Sequence, residues 1–384
     1  MEPVQVSAYA VTDAGLVRDT NEDWFAVGDL DRGSLAEAGA LTEVTGARGP
    51  LFVVCDGMGG VAGGEVASRL AVETVWQEML GSRATEERPV YARLLRRAIR
   101  AAHRRVLEEG VKRPELRGMG TTVSAAGLAG DALILAQVGD SRAYIERHGT
   151  LTQVTRDQSV VSALVHAGRI SETEARLSEK RSLILQALGT GEDVDVALSL
   201  VELRRGDRLL LCSDGLHGPV GDEALRHALA EHEDLGAAVD ALVRLARQAG
   251  APDNVTVVLA RFAGDRLPLP GEGDAPRFTE LDPNEEGESA LTNTSYVARR
   301  LAARAGLRRS DSAPPPIPAT GQHRAVRLPD ELERALAARR KGRGAPAGPA
   351  SEALARGARL GLVAWVIVGV AAVVFLGLLL WDAL

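Results

Sequence analysis

The chain has 384 residues, of which 45% are hydrophobic, so it can bury a large core and exceeds one ordinary domain. Its net charge of −7 is unevenly distributed, because residues 291–359 hold 14 Lys and Arg against five Asp and Glu. The rest of the chain is strongly acidic, which argues against nucleic acid as a partner of the globular part. The two cysteines, Cys55 and Cys212, both lie in apolar runs, which favours buried structural residues over a disulfide framework.

The first part of the chain predicts two strands separated by polar segments. Residues 4–11 alternate loosely, as in a strand, and residues 18–23 form a charged cluster that, taken alone, predicts a solvated loop. Residues 29–50 read as a variable loop. Residues 51–55 are apolar and partly β-branched, which predicts a buried strand that ends at the turn-forming pair Asp56-Gly57.

The middle of the chain predicts helices and strands in separate groups. Apolar spacing predicts helices at 65–80 and 90–109. Short alternating runs between residues 121 and 154 predict an antiparallel meander, and residues 157–187 are more polar and helical, with Ser171 as a helix cap. The remaining predicted elements are strands 194–201 and 208–211, helices 222–229 and 235–247, and strand 255–262. This grouping predicts an α+β domain with largely antiparallel sheets, ending near residue 263.

Four aspartates stand at the ends of these apolar strands. Asp56, Asp140 and Asp214 follow strand-like runs, and Asp253 directly precedes one. A single Asp-Gly pair is equally well a simple turn, but four carboxylates beside a core are costly unless a cation meets them. With no His or Cys at metal-binding spacing, the oxygen ligands predict Mg²⁺ or Mn²⁺.

The C-terminal third differs in composition. Residues 264–359 are rich in Pro, Ala and Arg, which predicts a largely disordered linker. Residues 360–381 are uncharged and mostly apolar, about 33 Å as a helix, which predicts a transmembrane span; a buried core helix is the structural alternative. Arg356 and Arg359 on one flank predict a cytoplasmic location for everything that precedes the span.

Six short motifs occur in an order that resembles one family. They are RDTNED at 18–23, VCDGMGG at 54–60, GMGTT at 118–122, VGDSR at 138–142, SDG at 213–215 and DNVT at 253–256. The set resembles the PPM family, the metal-dependent serine/threonine phosphatases of the 2C type, in its compact bacterial form. The resemblance covers about residues 4–263.

The resemblance implies an α-β-β-α sandwich of two mostly antiparallel sheets flanked by helices, with two Mn²⁺ or Mg²⁺ ions held between the ends of the sheets. It also implies roles for individual residues. Asp56 would bridge the two ions, Gly57 would offer its carbonyl, Asp214 and Asp253 would complete one ion, Glu22 would hold a water on the other, Asp140 would help to bind a third, weaker ion, and Arg18 would clamp the substrate phosphate.

One residue departs from the pattern of many eukaryotic members. They carry a His after the Asp-Gly pair, whereas this chain has Met58, which cannot donate a proton to the leaving group. Residues 157–187 match the position of the family's mobile flap. His166 lies in this segment and is interpreted as an ordinary surface residue, because a lone His has little diagnostic weight.

The implied function is hydrolysis of phosphoserine and phosphothreonine in proteins, opposing a serine/threonine kinase at the membrane. Such monoesters hydrolyse very slowly unaided, and two ions can activate the attacking water without a covalent intermediate. Two other interpretations remain open at this point. The domain could be a pseudophosphatase that binds phosphoproteins without turnover, or the basic tail could be a membrane tether with the globular part as its cargo.

Overall fold

A computed structural model describes residues 3–46, 48–59, 63–178 and 180–281 of the chain. These residues form fourteen strands, seven α-helices and a short 3₁₀ helix at Pro114–Leu116. The strands are β1 Gln5–Asp13, β2 Asp23–Asp29, β3 Ser34–Leu35, β4 Thr42–Thr45, β5 Pro50–Met58, β6 Gly120–Thr121, β7 Val123–Ala129, β8 Ala132–Val138, β9 Arg142–Arg147, β10 Thr150–Gln153, β11 Ala197–Glu202, β12 Arg208–Cys212, β13 Val255–Ala263 and β14 Phe278–Leu281. The helices are α1 Gly63–Leu80, α2 Arg88–Lys112, α3 Val160–His166, α4 Glu172–Leu177, α5 Asp214–His217, α6 Asp222–Glu231 and α7 Leu235–Gln248.

The strands form two sheets whose pairings are antiparallel. The first sheet has the order β10-β9-β12-β13-β1-β4, and the second has the order β14-β11-β8-β7-β5-β2-β3, with β6 paired to β5. Helices α1 and α2 share an apolar cluster with the second sheet, whereas α6 and α7 share one with the first. A third cluster lies between the two sheets. The layers therefore run helix, sheet, sheet, helix, and the predicted α+β class is confirmed.

The central strands are buried on both faces, which explains their unbroken apolar runs. In β5, Phe52 and Val54 point to the core between the sheets, whereas Leu51, Val53 and Cys55 point to the helices. Successive side chains of a strand face opposite ways, so a sandwiched strand must be apolar throughout. Phe52 also meets Phe262 of the other sheet edge to face, with ring centroids 6.4 Å apart. Cys55 and Cys212 are buried free thiols in this packing.

The flap prediction at Ser171 is confirmed in detail. Ser171 Oγ accepts a hydrogen bond from the backbone N–H of Glu174, and the Glu174 carboxylate accepts one from the N–H of Ser171. This reciprocal capping box satisfies two of the free donors at the start of α4. The local sequence alone sufficed here, because both partners lie within one turn.

Some strands were not predicted from the sequence. Strands β3 and β4 lie inside residues 29–50, which were interpreted as a loop, and β2 begins within the charged cluster. Strand β14 lies beyond residue 263, the predicted end of the domain, and pairs with β11 from Leu198 to Val201. These elements are held by distant partners, so local periodicity carries little of their signal.

The predicted transmembrane helix at 360–381 and most of the predicted linker lie outside the described residues. Within the part of the chain that the structure describes, no helix is both long and apolar enough to cross a membrane.

Candidate metal centre and active site

Strand ends from both sheets bring the predicted aspartates together. Asp56 lies near the end of β5 in the second sheet. Asp214 begins α5 two residues after the last residue of β12, and Asp253 lies two residues before the start of β13, the neighbour of β12 in the first sheet. Asp140 lies in the turn between β8 and β9. The antiparallel order places the end of β12 beside the start of β13, so Asp214 and Asp253 meet at one edge.

The mutual effect of these carboxylates shows that they form one cluster. The pKa of Asp56 is well above its usual value, first through burial and then through Asp23, Asp214, Asp140 and Asp253, all of which raise it. Burial followed by Asp253 raises the pKa of Asp214. Like charges this close favour the protonated acid or a bound cation. The negative charges of the cluster therefore favour the binding of a cation.

The main chain of Asp56 is fixed by two threonines. Thr122 Oγ1 accepts a hydrogen bond from the Asp56 N–H at 2.9 Å, and the N–H of Thr122 donates to the Asp56 carbonyl at 2.9 Å. Thr121 Oγ1 donates to the same carbonyl at 2.8 Å. Ser141 Oγ in turn lies 2.7 Å from Thr122 Oγ1. These contacts give the GMGTT motif a positioning role that its sequence did not reveal.

Asn254 ties the loop of the RDTNED motif to the start of β13. Its Oδ1 accepts from the N–H of Glu22 at 2.8 Å, and its Nδ2 donates to the carbonyls of Ala14 and Thr20 at 3.0 and 2.9 Å. A single buried amide thus holds the segment that carries Arg18 and Glu22. The DNVT motif contains Asn254, but the sequence alone does not indicate this role.

Arg18 lies at the solvent side of the cluster. Its Nη2 lies 2.7 Å from Asp253 Oδ2, and about half of its side chain is exposed. Arg18, the predicted phosphate clamp, therefore pairs in this structure with Asp253, a predicted metal ligand. The contact places Arg18 beside the cluster.

The backbones of Glu22, Gly57 and Gly64 lie very close to one another. The Gly57 N–H donates to the Glu22 carbonyl at 3.0 Å, and the Glu22 carboxylate lies against Gly64 at the start of α1. A Cβ at Gly57 would collide with the carbonyls of Gly64 and Glu22, and a Cβ at Gly64 would collide with the Glu22 carboxylate. Burial raises the pKa of Glu22, whereas Arg18 opposes that rise. Glycine at both positions lets the Glu22 side chain reach the cluster.

Sequence reasoning missed Asp23 as an individual site residue. Its Cα is paired with that of Asp56 across β2 and β5, and its side chain is almost completely buried. Ser213 Oγ donates to Asp23 Oδ2 at 2.7 Å and accepts from the N–H of Thr256 at 3.0 Å. Burial, with help from Asp214 and Asp253, raises the pKa of Asp23 to about 7. Recognising β2 as the partner of β5 would have placed Asp23 opposite Asp56.

One histidine, His217 of α5, contacts the turn that carries Asp140, and another, His166, belongs to the flap. His217 Nε2 lies 3.0 Å from the backbone carbonyl of Asp140, and burial lowers its pKa to about 4. His166 is the last residue of α3 in the flap. Met58 occupies the position after Gly57 at the end of β5, as the sequence indicated.

The donor set fits divalent cations by its chemistry. Carboxylate and carbonyl oxygens suit Mg²⁺ and Mn²⁺, and Asp56, Asp214 and Asp253 keep part of their surface open to solvent. As the side chains stand, no three Asp, Glu, His or Cys residues of the described segments lie close enough to form a ready metal cage.

The fold and this carboxylate cluster define a class of protein. The family model for protein phosphatase 2C matches residues 39–260. The chain therefore belongs to the protein phosphatase 2C family.

Two curated relatives illustrate how far the similarity extends. The chain is 41% identical over 301 residues to the serine/threonine protein phosphatase PstP of Mycobacterium tuberculosis, covering 76% of this chain and 53% of the relative. It thus spans about half the length of that protein. It is 35% identical over 213 residues to the serine/threonine phosphatase stp of Listeria monocytogenes, covering 55% of this chain and 83% of the relative.

Solved structures support the same fold. The crystal structure of PstP/Ppp from Mycobacterium tuberculosis superposes with a TM-score of 0.58 at 39% identity, covering 68% of this chain and all of that one. The catalytic domain of PstP in complex with two manganese ions gives a TM-score of 0.56 at 38% identity, covering 68% of this chain and 100% of that one.

Proposed function

We propose that the protein hydrolyses phosphoserine and phosphothreonine in phosphorylated proteins with the help of two Mn²⁺ or Mg²⁺ ions. The observation that carries the proposal is the placement of the carboxylates around Asp56. Asp23 is its cross-strand partner, Asp214 and Asp253 stand at the adjoining ends of β12 and β13, and each of them raises the pKa of Asp56. A fold that gathers this much negative charge at a solvent-accessible edge needs positive charge there. Manganese in the related PstP catalytic domain is consistent with that need.

Each residue of the cluster has a distinct task in this proposal. Asp56 would hold both ions with its carboxylate, and Gly57 would contribute its carbonyl. Asp214 and Asp253 would hold one ion, Glu22 would hold a water on the other, and Asp140 would help to hold a third, weaker ion. Bound divalent ions supply charge neutralisation at phosphorus and an activated water. The net reaction consumes one water, breaks the bond between phosphorus and the serine or threonine oxygen, and releases inorganic phosphate.

Arg18 binds the substrate phosphate at the mouth of the site. A guanidinium can serve two phosphate oxygens in a fork, and half of this side chain is free to solvent. To do so it must exchange its contact with Asp253 for the phosphate. Loss of that contact would also leave Asp253 Oδ2 open to a cation.

The experiment measures phosphate release from a phosphothreonine peptide by the purified full-length chain. Turnover should require Mn²⁺ or Mg²⁺, disappear with a chelator and return when metal is added. Asp214→Asn should reduce turnover by at least about 10- to 100-fold, the loss that even residues behind metal ligands typically cause. Asp265→Asn is a matched control, because Asp265 is strongly exposed. Turnover that survives removal of divalent metal would contradict the mechanism.

A binding module is the second candidate function. The contact of Arg18 with Asp253, together with the lack of a ready cage among the described residues, is the observation in its favour. A pseudophosphatase would retain phosphopeptide with metal present and release no phosphate. The same assay, run beside a binding measurement on that peptide, separates the two.

We also propose a membrane location for this activity. Residues 360–381 would anchor the chain, with the phosphatase domain in the cytoplasm opposing a serine/threonine kinase in signal transduction. The composition of the tail and the flanking Arg356 and Arg359 support this. Deleting residues 360–384 should abolish membrane association and preserve peptide turnover. Loss of turnover with unchanged membrane association would contradict the proposal and favour another role for the tail.

A further inference from the structure

Two bulky apolar side chains are exposed directly before Arg18. Leu16 is 55% exposed and Val17 is 67% exposed. Among the described residues, no other two exposed large hydrophobic residues are consecutive in the chain. A single exposed leucine is ordinary, so the unusual feature is an apolar pair beside a charged site. Leu16 and Val17 are called the apolar pair below.

The backbone that carries the apolar pair is fixed at several points. The N–H of Leu16 donates to the carbonyl of Ala251 at 2.9 Å. Asn254 Nδ2 donates to the carbonyls of Ala14 and Thr20, which lie on either side of the pair in the chain. Side chains on a fixed backbone need little further ordering when a ligand covers them, which lowers the cost of binding.

The loop of the apolar pair contacts Asp253 at both of its ends. Gly15 has a φ of +79°, and a Cβ there would collide with the Asp253 carbonyl. At the other end, Arg18 Nη2 lies 2.7 Å from Asp253 Oδ2. Because the pair is all that separates Gly15 from Arg18, it lies at the mouth of the proposed hydrolytic site.

The surroundings of the apolar pair favour a substrate peptide as its occupant. Two side chains cover far less than the roughly 800 Å² per partner that a stable protein interface buries. Charges of both signs flank the pair, namely Arg18, Asp19 and the ion pair of Arg247 with Asp13, whereas a surface that binds an anionic bilayer is basic. A peptide whose phosphate contacts Arg18 would pass the pair with the residues beside its phosphorylated side chain.

We propose that Leu16 and Val17 contact an apolar side chain next to the phosphorylated residue of the substrate. The enzyme therefore selects phosphoproteins with leucine or a similar residue at that place. This inference rests on the proposed function, because it takes Arg18 as the group that binds the substrate phosphate. The contact removes apolar surface of both partners from water, whereas a serine at the same place would leave the pair exposed.

The experiment compares two peptides that carry a non-hydrolysable analogue of phosphothreonine, with a methylene group in place of the ester oxygen. One peptide has leucine on both sides of the analogue, and the other has serine. Fluorescence anisotropy with Mn²⁺ present measures both dissociation constants for the full-length chain. We expect the leucine peptide to bind at least about fivefold more tightly, because it buries apolar surface against the pair.

A double variant with Leu16→Ser and Val17→Ser sharpens this test. It should bring the two dissociation constants to within about twofold, because the apolar surface is gone. Leu269→Ser is the control, because Leu269 is 70% exposed and follows Ala263, the end of β13 opposite to Asp253. It should keep the preference of the unaltered chain, and urea unfolding should show that both variants remain folded.

Equal affinity of the unaltered chain for the two peptides, or an unchanged preference in the double variant, would overturn the proposal. A double variant that keeps the preference and loses self-association in sedimentation would overturn it too, and would assign the apolar pair to a contact between copies of the chain. Turnover of the corresponding phosphothreonine peptides tests the proposed function separately. A leucine preference in binding without any turnover would contradict hydrolysis and support this inference.

Discussion

The same side chain, aspartate, is buried in two regions of this molecule with opposite electrostatic surroundings. Asp207 accepts two hydrogen bonds of 2.8 Å from the guanidinium of Arg147, and both side chains are almost fully buried. Its carboxylate also accepts a hydrogen bond from the backbone N–H of Arg204. Asp56 instead has four carboxylates as its main charged neighbours. The first arrangement is complete within the chain, whereas the second needs a cation from outside. Buried negative charge is therefore structural where an arginine matches it and functional where other acids surround it.

The largest expected effect on turnover comes from substituting Asp56, whose charged neighbours are other carboxylates. Asp56→Asn should lower phosphopeptide turnover by at least about 100-fold, since it removes the proposed bridge between two ions. The metal-free protein should lose no stability, because the change relieves repulsion among the carboxylates. Peptide turnover and urea unfolding in the presence of a chelator measure the two effects. A variant that unfolds more easily while retaining turnover would reverse the comparison.

Removing the arginine partner of Asp207 should have the opposite effects, a loss of stability with little change in turnover. Arg147→Met leaves Asp207 buried without its partner and should lower the free energy of unfolding by about 3–5 kcal/mol. Turnover per folded molecule should stay within about twofold, because the pair lies away from the carboxylate cluster in the network with Glu202 and Asp274. Urea denaturation measures the first value. Arg204→Met, which keeps the pair, serves as the control and should cost less.

Substitution of Asn254 should have smaller effects on turnover and on stability. Asn254→Ala removes one hydrogen bond to the N–H of Glu22 and two to the carbonyls of Ala14 and Thr20. We expect a loss of about 10-fold in turnover and about 1–3 kcal/mol in stability. Asn254→Asp keeps the acceptor for Glu22 but places a buried carboxylate against the carbonyls of Ala14 and Thr20, so it should be at least as destabilising as the alanine variant. Wild-type stability in either variant would show that these hydrogen bonds do not hold the segment.

The smallest effect is expected at an exposed acid. Hydrogen bonds from Ser171 lower the pKa of Glu174 at the start of α4. Ser171→Ala should weaken this short flap helix by about 1 kcal/mol and leave turnover within about twofold. Amide hydrogen exchange in residues 172–177 measures the change, and Ser171→Thr, which keeps the hydroxyl, should show little of it. Faster exchange in the threonine variant would contradict the capping explanation.

The sequence made part of this contrast visible. Asp56, Asp140, Asp214 and Asp253 were identifiable because each stands at the end of an apolar run, a local signal. Asp23 was not, because its burial depends on β2 pairing with β5 across the intervening segment that contains β3 and β4. The pairing of Arg18 with Asp253 joins residues 235 positions apart, so no local pattern reports it.

The same reasoning applies to the fold. Two-sided burial of β5 and β13 follows from their continuous apolar runs, and the helices follow from their periodicity. Strand β14 follows a segment rich in Pro and Gly and is held by β11, some eighty residues earlier in the chain. Its stability comes from that partner, which the local sequence does not show.

Calorimetric titration of Mn²⁺ into the full-length chain tests the central claim most directly. The account predicts two tightly bound ions per unaltered chain, apart from the weaker third ion at Asp140, with tight uptake abolished or reduced to one ion in Asp56→Asn and unaffected in Asp265→Asn. Two ions bound with unchanged affinity in Asp56→Asn, or no uptake by the unaltered chain, would contradict it.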